Sequence, residues 1–294
     1  MSGTKPKATK APMIERVAEM AMSLSQPHLA DYGATRSRHD FTQRQLMSCL
    51  ILRAYLKTTY RGVVDLLAAS ASLRQRLGLG EKLPHYTTLQ KFSGRTQVLA
   101  IAQKLIAAIV QEVAPPEEAL AMDSTGMSFN TASEYFQMRS KRGKGSVRKW
   151  VKVSVAVLCG SLLPTALLVN LGPSSDYALA PSLLAQSQAV SRPERLYADA
   201  GYDAEWIHKQ CREQWGVQSV IKPVTRRSDG TRSGKWRSQM TDQYLKQNNY
   251  GRRWAVESFF SGLKRTMGSV LSARKPEQML AEATFRVLAY ALRR

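Results

Sequence analysis

The sequence predicts a mixed α/β domain preceded by an all-helical region. Three observations carry this. Residues 13–112 place apolar side chains at helical spacing, without strand-like alternation. The texture changes after Pro115-Pro116, where short valine-rich and apolar runs begin. Extended and helical runs then alternate toward the C-terminus, as in a sheet flanked by helices.

The N-terminal stretch MSGTKPKATKAP, residues 1–12, is basic and has no apolar run directly behind it. It reads as a flexible arm rather than a signal peptide: a solvated tail, or an arm that touches DNA. Phe41 to Leu56 carries Leu46, Leu50, Leu52 and Leu56 at broadly helical spacing. The segment from Thr58 follows and stops at Gly78-Leu79-Gly80. Pro84 precedes a short helix opened by Tyr86 or Thr87, and Val98–Val113 is a long apolar helix. Short helices with Arg and Lys at their ends allow a helix-turn-helix-like DNA reader, a weak signal because ordinary bundles of short helices are common. Residues 13–114 are assigned on this basis as a DNA-binding and dimerisation region, and 117–294 as a second domain.

In that second domain Ala119–Thr125 is an apolar run ending near an aspartate. Arg148–Leu158 alternates and is rich in valine, and Leu163–Leu171 is a further strand. Asp176–Val190 reads as a helix, with Asp176 as its opener after Gly172-Pro173-Ser174-Ser175. Glu194–Asp203 is a strand running into a glycine turn, Ala204–Trp215 a helix, and Val217–Pro223 a strand. Asp203 is expected to cap the Ala204 helix. One long helix is expected from Thr241 to Met267.

The chain has 294 residues, 43 Lys and Arg against 22 Asp and Glu, and a formal net charge of +21. Hydrophobic residues make up 44%, enough for a folded core, so a disordered basic tail protein is excluded. A charge this large argues against an enzyme for small neutral substrates and for a polyanion partner, nucleic acid before a membrane surface. Cys49, Cys159 and Cys211 are isolated from one another, which suggests neither a disulfide framework nor a zinc site and fits a reducing compartment. His39 and His85 have no metal spacing, and no apolar run reads as a membrane span.

Two basic loops flank the strand-rich region. The first holds Arg139, Lys141, Arg142, Lys144, Arg148 and Lys149 with no acid among them. The second, Pro223–Met240, holds Arg226, Arg227, Arg232, Lys235 and Arg237. A single charge run is ordinarily a solvated loop, but two around one sheet are assigned to DNA phosphates.

Against that background, acidic residues at strand ends need a reason. Asp123 sits at the C-terminal end of an apolar run, in AMDST, Asp199 lies in LYADAGYD, and Glu257 lies in RRWAVESFF. Two carboxylates at adjacent strand ends and a third from a helix build an oxygen cage suited to Mg²⁺ or Mn²⁺. At about 100° per residue, with Glu257 at 0°, Tyr250 falls at about +20°, Arg253 at about −40° and Lys264 at about −20°. Val256, Phe260, Leu263 and Met267 fall on the adjoining core face. Arg253 and Lys264 then either hold phosphates beside the carboxylates or belong to an ordinary salt-bridged helix, with Arg253–Glu257 as an i,i+4 pair. Trp206 and Trp236 either stack a flipped base or pack in the core, the latter being the better reading for Trp206.

The spacing Tyr250-x2-Arg253-x3-Glu257-x6-Lys264, with AMDST and YADAGYD upstream in the same order, resembles the DDE transposases of bacterial insertion sequences. It resembles in particular the cut-and-paste families with the Tyr-Arg-Glu-Lys signature. The resemblance spans roughly Ala119–Arg294. It implies an RNase H-like catalytic domain in which Asp123, Asp199 and Glu257 bind two Mg²⁺ ions. Those ions would serve cleavage of double-stranded DNA at terminal inverted repeats and joining of the 3′-hydroxyl ends to target DNA. Tyr250, Arg253 and Lys264 would position phosphates. The interval between Asp199 and Glu257 is short, which leaves open whether a hairpin intermediate forms. A two-ended substrate implies a homodimer in the synaptic complex, and the expected location is the bacterial cytoplasm, at the nucleoid. The alternatives are a metal-dependent nuclease without strand transfer and a non-catalytic DNA-binding descendant.

Overall fold

The computed structural model describes residues 11–36, 38–114, 116–129, 150–224 and 232–294. The chain forms two compact units, one running to Phe92 with Arg293, the other Ser93–Leu292 with Arg294.

The first unit is helical: α1 (Met13–Ser25), α2 (Gln43–Tyr55), α3 (Tyr60–Ala69), α4 (Ala71–Arg76) and α5 (Tyr86–Ser93). Local sequence sets the helix starts. Thr42 and Gln45 form a capping box at α2, and the Thr59 and Ser70 hydroxyls cap α3 and α4. The buried face of α2, with Met47, Leu50, Ile51 and Leu52, packs on α1 through Val17, Ala18 and Ala21. The α5 start falls at Tyr86, as its sequence suggests.

The second unit opens with α6 (Thr96–Val113). This helix belongs by contact with the sheet rather than with the helical region to which its sequence position assigned it: it packs on β3, and Gln103 Nε2 donates to Leu167 O at 3.1 Å. By length and composition α6 would reach across a membrane, but Val98, Ala102, Leu105, Ile106, Ile109 and Val110 are buried.

The sheet is mixed. Its strands are β1 (Ala119–Phe129), β2 (Val151–Leu158), β3 (Pro164–Leu171), β4 (Arg195–Ala198), β5 (Gln218–Ile221) and β6 (Val270–Leu271). The order is β3-β2-β1-β4-β5, with β6 also pairing β1. β1–β2–β3 is an antiparallel meander, while β4 and β5 continue in parallel from β1. The parallel joins need crossovers. The first contains α7 (Asp176–Val190), and the second contains α8 (Glu205–Lys209), extended by a π-helical turn through Trp215. The expected mixed sheet with flanking helices, preceded by a helical region, is the observed architecture.

The single helix expected over Thr241–Met267 is instead three pieces: α9 (Asp242–Gln247), a 3₁₀ turn Tyr250–Arg253, and α10 (Trp254–Met267). Asn249 takes a left-handed conformation at φ 54° and breaks the run, which asparagine tolerates better than most residues. Val256, Phe260, Leu263 and Met267 of α10 are buried as expected. A last helix, α11 (Pro276–Arg293), packs Phe285, Val287, Leu288 and Ala289 into the interior.

Candidate active site

Asp123 does not end β1. The strand continues through six more residues, because antiparallel pairing with β2 persists to Met127↔Val151 after parallel pairing with β4 stops at Met122↔Ala198. That divergence opens a notch, with Asp123 on one side and Asp199, the residue after β4, on the other. Asp123 Oδ1 accepts from the Ser124 amide at 2.7 Å, and Asp199 Oδ1 accepts from the Gly201 amide at 2.9 Å. Both acids are thus held by the backbone that follows them.

Burial pushes the Asp123 carboxyl up to about 6, assisted by the negative charges of Asp199 and Asp176 and opposed by the Ser124 amide and Arg253. The group is four-fifths enclosed by its neighbours, with a side-chain exposure of 20%.

Three residues of the Tyr-Arg-Glu-Lys pattern reach this notch. The Tyr250 hydroxyl donates to Ala198 O, just before Asp199, at 3.2 Å. Arg253 Nη1 donates to Asp123 Oδ2 at 3.2 Å, and its other terminal nitrogen pairs with Glu257. Lys264 Nζ donates to Thr125 Oγ1 at 2.6 Å. Of the four-residue stripe expected on one helix, Tyr250, Arg253 and Lys264 reach β1 and β4, the first two from the 3₁₀ turn rather than from α10. Burial, followed by the opposing influence of Arg253, leaves the Tyr250 phenol above its ordinary range.

Arg253 is aimed at carboxylates rather than held away from them. Glu257 remains largely exposed, and among the described residues no three acidic, histidine or cysteine side chains already form a metal-binding group.

Alternation along β1 divides the site between two faces. Asp123 and Thr125 meet the α10 side. Ser124 points oppositely, to Ser154 Oγ at 2.7 Å, to the Tyr202 hydroxyl at 3.3 Å and to Asp176. Asp176 was expected only to open α7; that cap is supplied by Ser175, whose hydroxyl accepts from the Ala178 amide. The nearness of Asp176 to Asp123 was not legible, since it depends on how α7 packs on β2 and β3.

Asp203 is not a helix cap. Its buried carboxylate takes both a hydrogen bond and an ion pair from Arg237, at 2.7 Å. Arg237 therefore leaves the set of loop cations available to DNA. The same loop is pinned by Glu205, which accepts from the amides of Trp236 and Arg237 at 3.1 and 2.9 Å. Trp236 donates its indole N–H to Glu213, and Trp206 packs edge-on against Tyr177 at 5.5 Å. Arg232 donates to Met240 O at 2.6 Å, while Lys235 is exposed beside Glu213. Arg139, Lys141, Arg142, Lys144, Arg148, Lys149, Arg226 and Arg227 lie outside the described residues.

No curated protein matches the chain. Among solved structures, the cryo-EM structure of the piggyBac transposase synaptic complex with hairpin DNA is similar at a TM-score of 0.48 and 12% identity. The match covers 97% of this chain and 72% of that one. Residues 114–292, which contain the whole sheet and every residue of the notch, match the family model for the transposase DDE domain, and the chain belongs to that family.

Proposed function

We propose that the protein is a DNA transposase of a bacterial insertion sequence, of the Tyr-Arg-Glu-Lys group, with Asp123, Asp199 and Glu257 as its metal-binding carboxylates. The observation that carries this reading is the convergence of Tyr250, Arg253 and Lys264 on the residues around Asp123 and Asp199. The donor set fits a hard divalent cation, Mg²⁺ or Mn²⁺: carboxylate oxygens, one of them partly buried and raised to about 6, so that a nearby cation favours its charged form. Arg253 already holds positive charge between Asp123 and Glu257.

Bound divalent ions would supply Lewis acidity to the attacking water or 3′-hydroxyl and to the leaving oxygen. The chain's own part is positional. The Ser124 and Gly201 amides orient the two aspartates. Arg253, on turning from Asp123 to a phosphate, frees that carboxylate and offers a two-pronged donor to the DNA backbone. Lys264 contributes a point charge beside Thr125, and Tyr250 keeps the turn before α10 against β4. Arg232 and Lys235, with the two basic loops, would follow the flanking DNA. The partners are double-stranded DNA with terminal inverted repeats, target DNA and a second copy of the chain in the synapse. The expected place is the cytoplasm, at the nucleoid, with no role for a membrane.

The test is plasmid cleavage with Mg²⁺ or Mn²⁺ and the DNA that flanks the coding region, followed by addition of a target plasmid. The expected result is cutting at the repeats and joined products, both lost in Asp199→Asn. Cutting without joining would favour the plain nuclease. Cutting unaltered by Asp199→Asn would overturn the metal assignment.

A further inference from the structure

Lys152 lies on β2 with only 8% of its surface exposed. A buried ammonium demands partners. It has two: Asp176 Oδ1 at 2.9 Å and the Ser174 carbonyl at 2.5 Å. The same Asp176 oxygen accepts from the Ser124 hydroxyl and, at 3.4 Å, from the Tyr202 hydroxyl. Ser124 is the residue after Asp123 and supplies the amide that holds it. Tyr202 closes the turn after Asp199, its amide donating to Asp199 O at 3.1 Å. One carboxylate therefore grips the segments behind both aspartates.

A helix-opening role does not explain this, because Ser175 already caps α7. A ligand role fits poorly too, because Oδ1 is committed to Lys152 and two hydroxyls. The remaining oxygen faces Gly201, where a side-chain carbon would lie 3.3 Å from Asp176 Oδ2 and 3.0 Å from Asp199 Oδ1. A side chain there would require both carboxylates to shift by a few tenths of an ångström.

We propose that Asp176, held by Lys152, is a positioning residue that sets Asp123 and Asp199 at metal-binding separation through the hydroxyls of Ser124 and Tyr202. This rests on the metal reading above.

The test is Mn²⁺ binding to the full chain without DNA, followed by electron paramagnetic resonance, with thermal unfolding recorded on each variant. Ser124→Ala and Tyr202→Phe change no charge; each is expected to weaken Mn²⁺ binding, and their combination by about tenfold, as loss of an outer-shell partner does. Lys152→Met is the sharper case. If Asp176 and Lys152 act only as nearby charges, removing the cation tightens Mn²⁺ binding; if they position the aspartates, binding weakens. Tightening in Lys152→Met, or unchanged binding in the combined Ser124→Ala and Tyr202→Phe protein, would overturn the proposal. Absence of Mn²⁺ binding in the unaltered chain, matched by Asp199→Asn, would instead overturn the metal reading and this proposal with it.

Discussion

Arg253 Nη1 lies 3.2 Å from Asp123 Oδ2, so a cation at the end of the 3₁₀ turn before α10 is lodged against a strand carboxylate that burial raises to about 6. In the same side chain the second terminal nitrogen pairs with Glu257. On the proposed function this would give Arg253 two successive duties, as a counter-ion without DNA and as a phosphate donor with it. Arg253→Gln should separate them. Mn²⁺ binding to the DNA-free protein should tighten, because a competing cation is gone, while DNA cleavage should fall roughly a hundredfold. Equal loss in both measurements would show that Arg253 serves only to hold the carboxylates in place.

The Asp123 carboxyl gives a pH dependence with a definite sign. Its folded value, about 6, exceeds the ordinary 3.8, so the folded chain binds the proton more tightly than the unfolded chain. The stability it contributes is complete below about 3.8 and lost as pH rises through about 6. Buried His208, lowered to about 4, contributes the opposite slope over much of this range, so the loss is read as a difference between the unaltered chain and Asp123→Asn. In urea unfolding of metal-free protein that difference should change by roughly 2 kcal/mol between pH 4 and 7 after allowance for partial exposure; a difference independent of pH would overturn the assignment. Cleavage should have the opposite dependence, falling below about pH 6 as the proton competes with the metal.

Arg237 and Asp203 form a buried pair, with side-chain exposures of 6% and 0%. Arg237→Met should destabilise the sheet unit by about 3–5 kcal/mol, because an uncompensated carboxylate remains inside. Replacing both residues with apolar side chains should recover much of that loss. Urea unfolding monitored by tryptophan fluorescence is the measurement.

Lys264 tests phosphate contact directly. Lys264→Gln should reduce the slope of log affinity against log salt by about one, as loss of a single phosphate neutralisation does. Thr125→Val should leave the slope unchanged, since Thr125 only receives the lysine in the DNA-free protein. An unchanged slope in Lys264→Gln would remove Lys264 from the DNA interface.

Much of this molecule is legible in its residues, for local reasons. Asp176–Val190 is bounded by a serine cap and reads as a helix end to end. The alternation of β2 and the apolar β3 give two strands, and Tyr250, Arg253 and Lys264 still meet at the sheet despite the break at Asn249, while Glu257 pairs with Arg253 and stays largely exposed. What escapes is non-local. Asp123 looks like a strand end because the apolar run stops there, while β2 carries the polar half of the strand onward. Asp203 has the position of a cap, and only the fold brings Arg237 to it from a distant loop. The two-residue β6 carries too little pattern to be seen at all; it exists because β1 offers it an open edge at Ser128 and Phe129.

The division of β1 between two faces makes this strand unusually intolerant of length change. Deleting one residue between Ala119 and Asp123 would leave a run of small and apolar side chains still able to fill the interior. It would also rotate everything downstream by half a turn of the pleat. Ser124 would then face Arg253 and Lys264, and a carboxylate would face Lys152 and Ser154. Such a chain would present a hydroxyl where the proposed chemistry needs an acid, and would carry a carboxylate into the buried place of Met122. A one-residue insertion or deletion here should therefore cost both activity and stability.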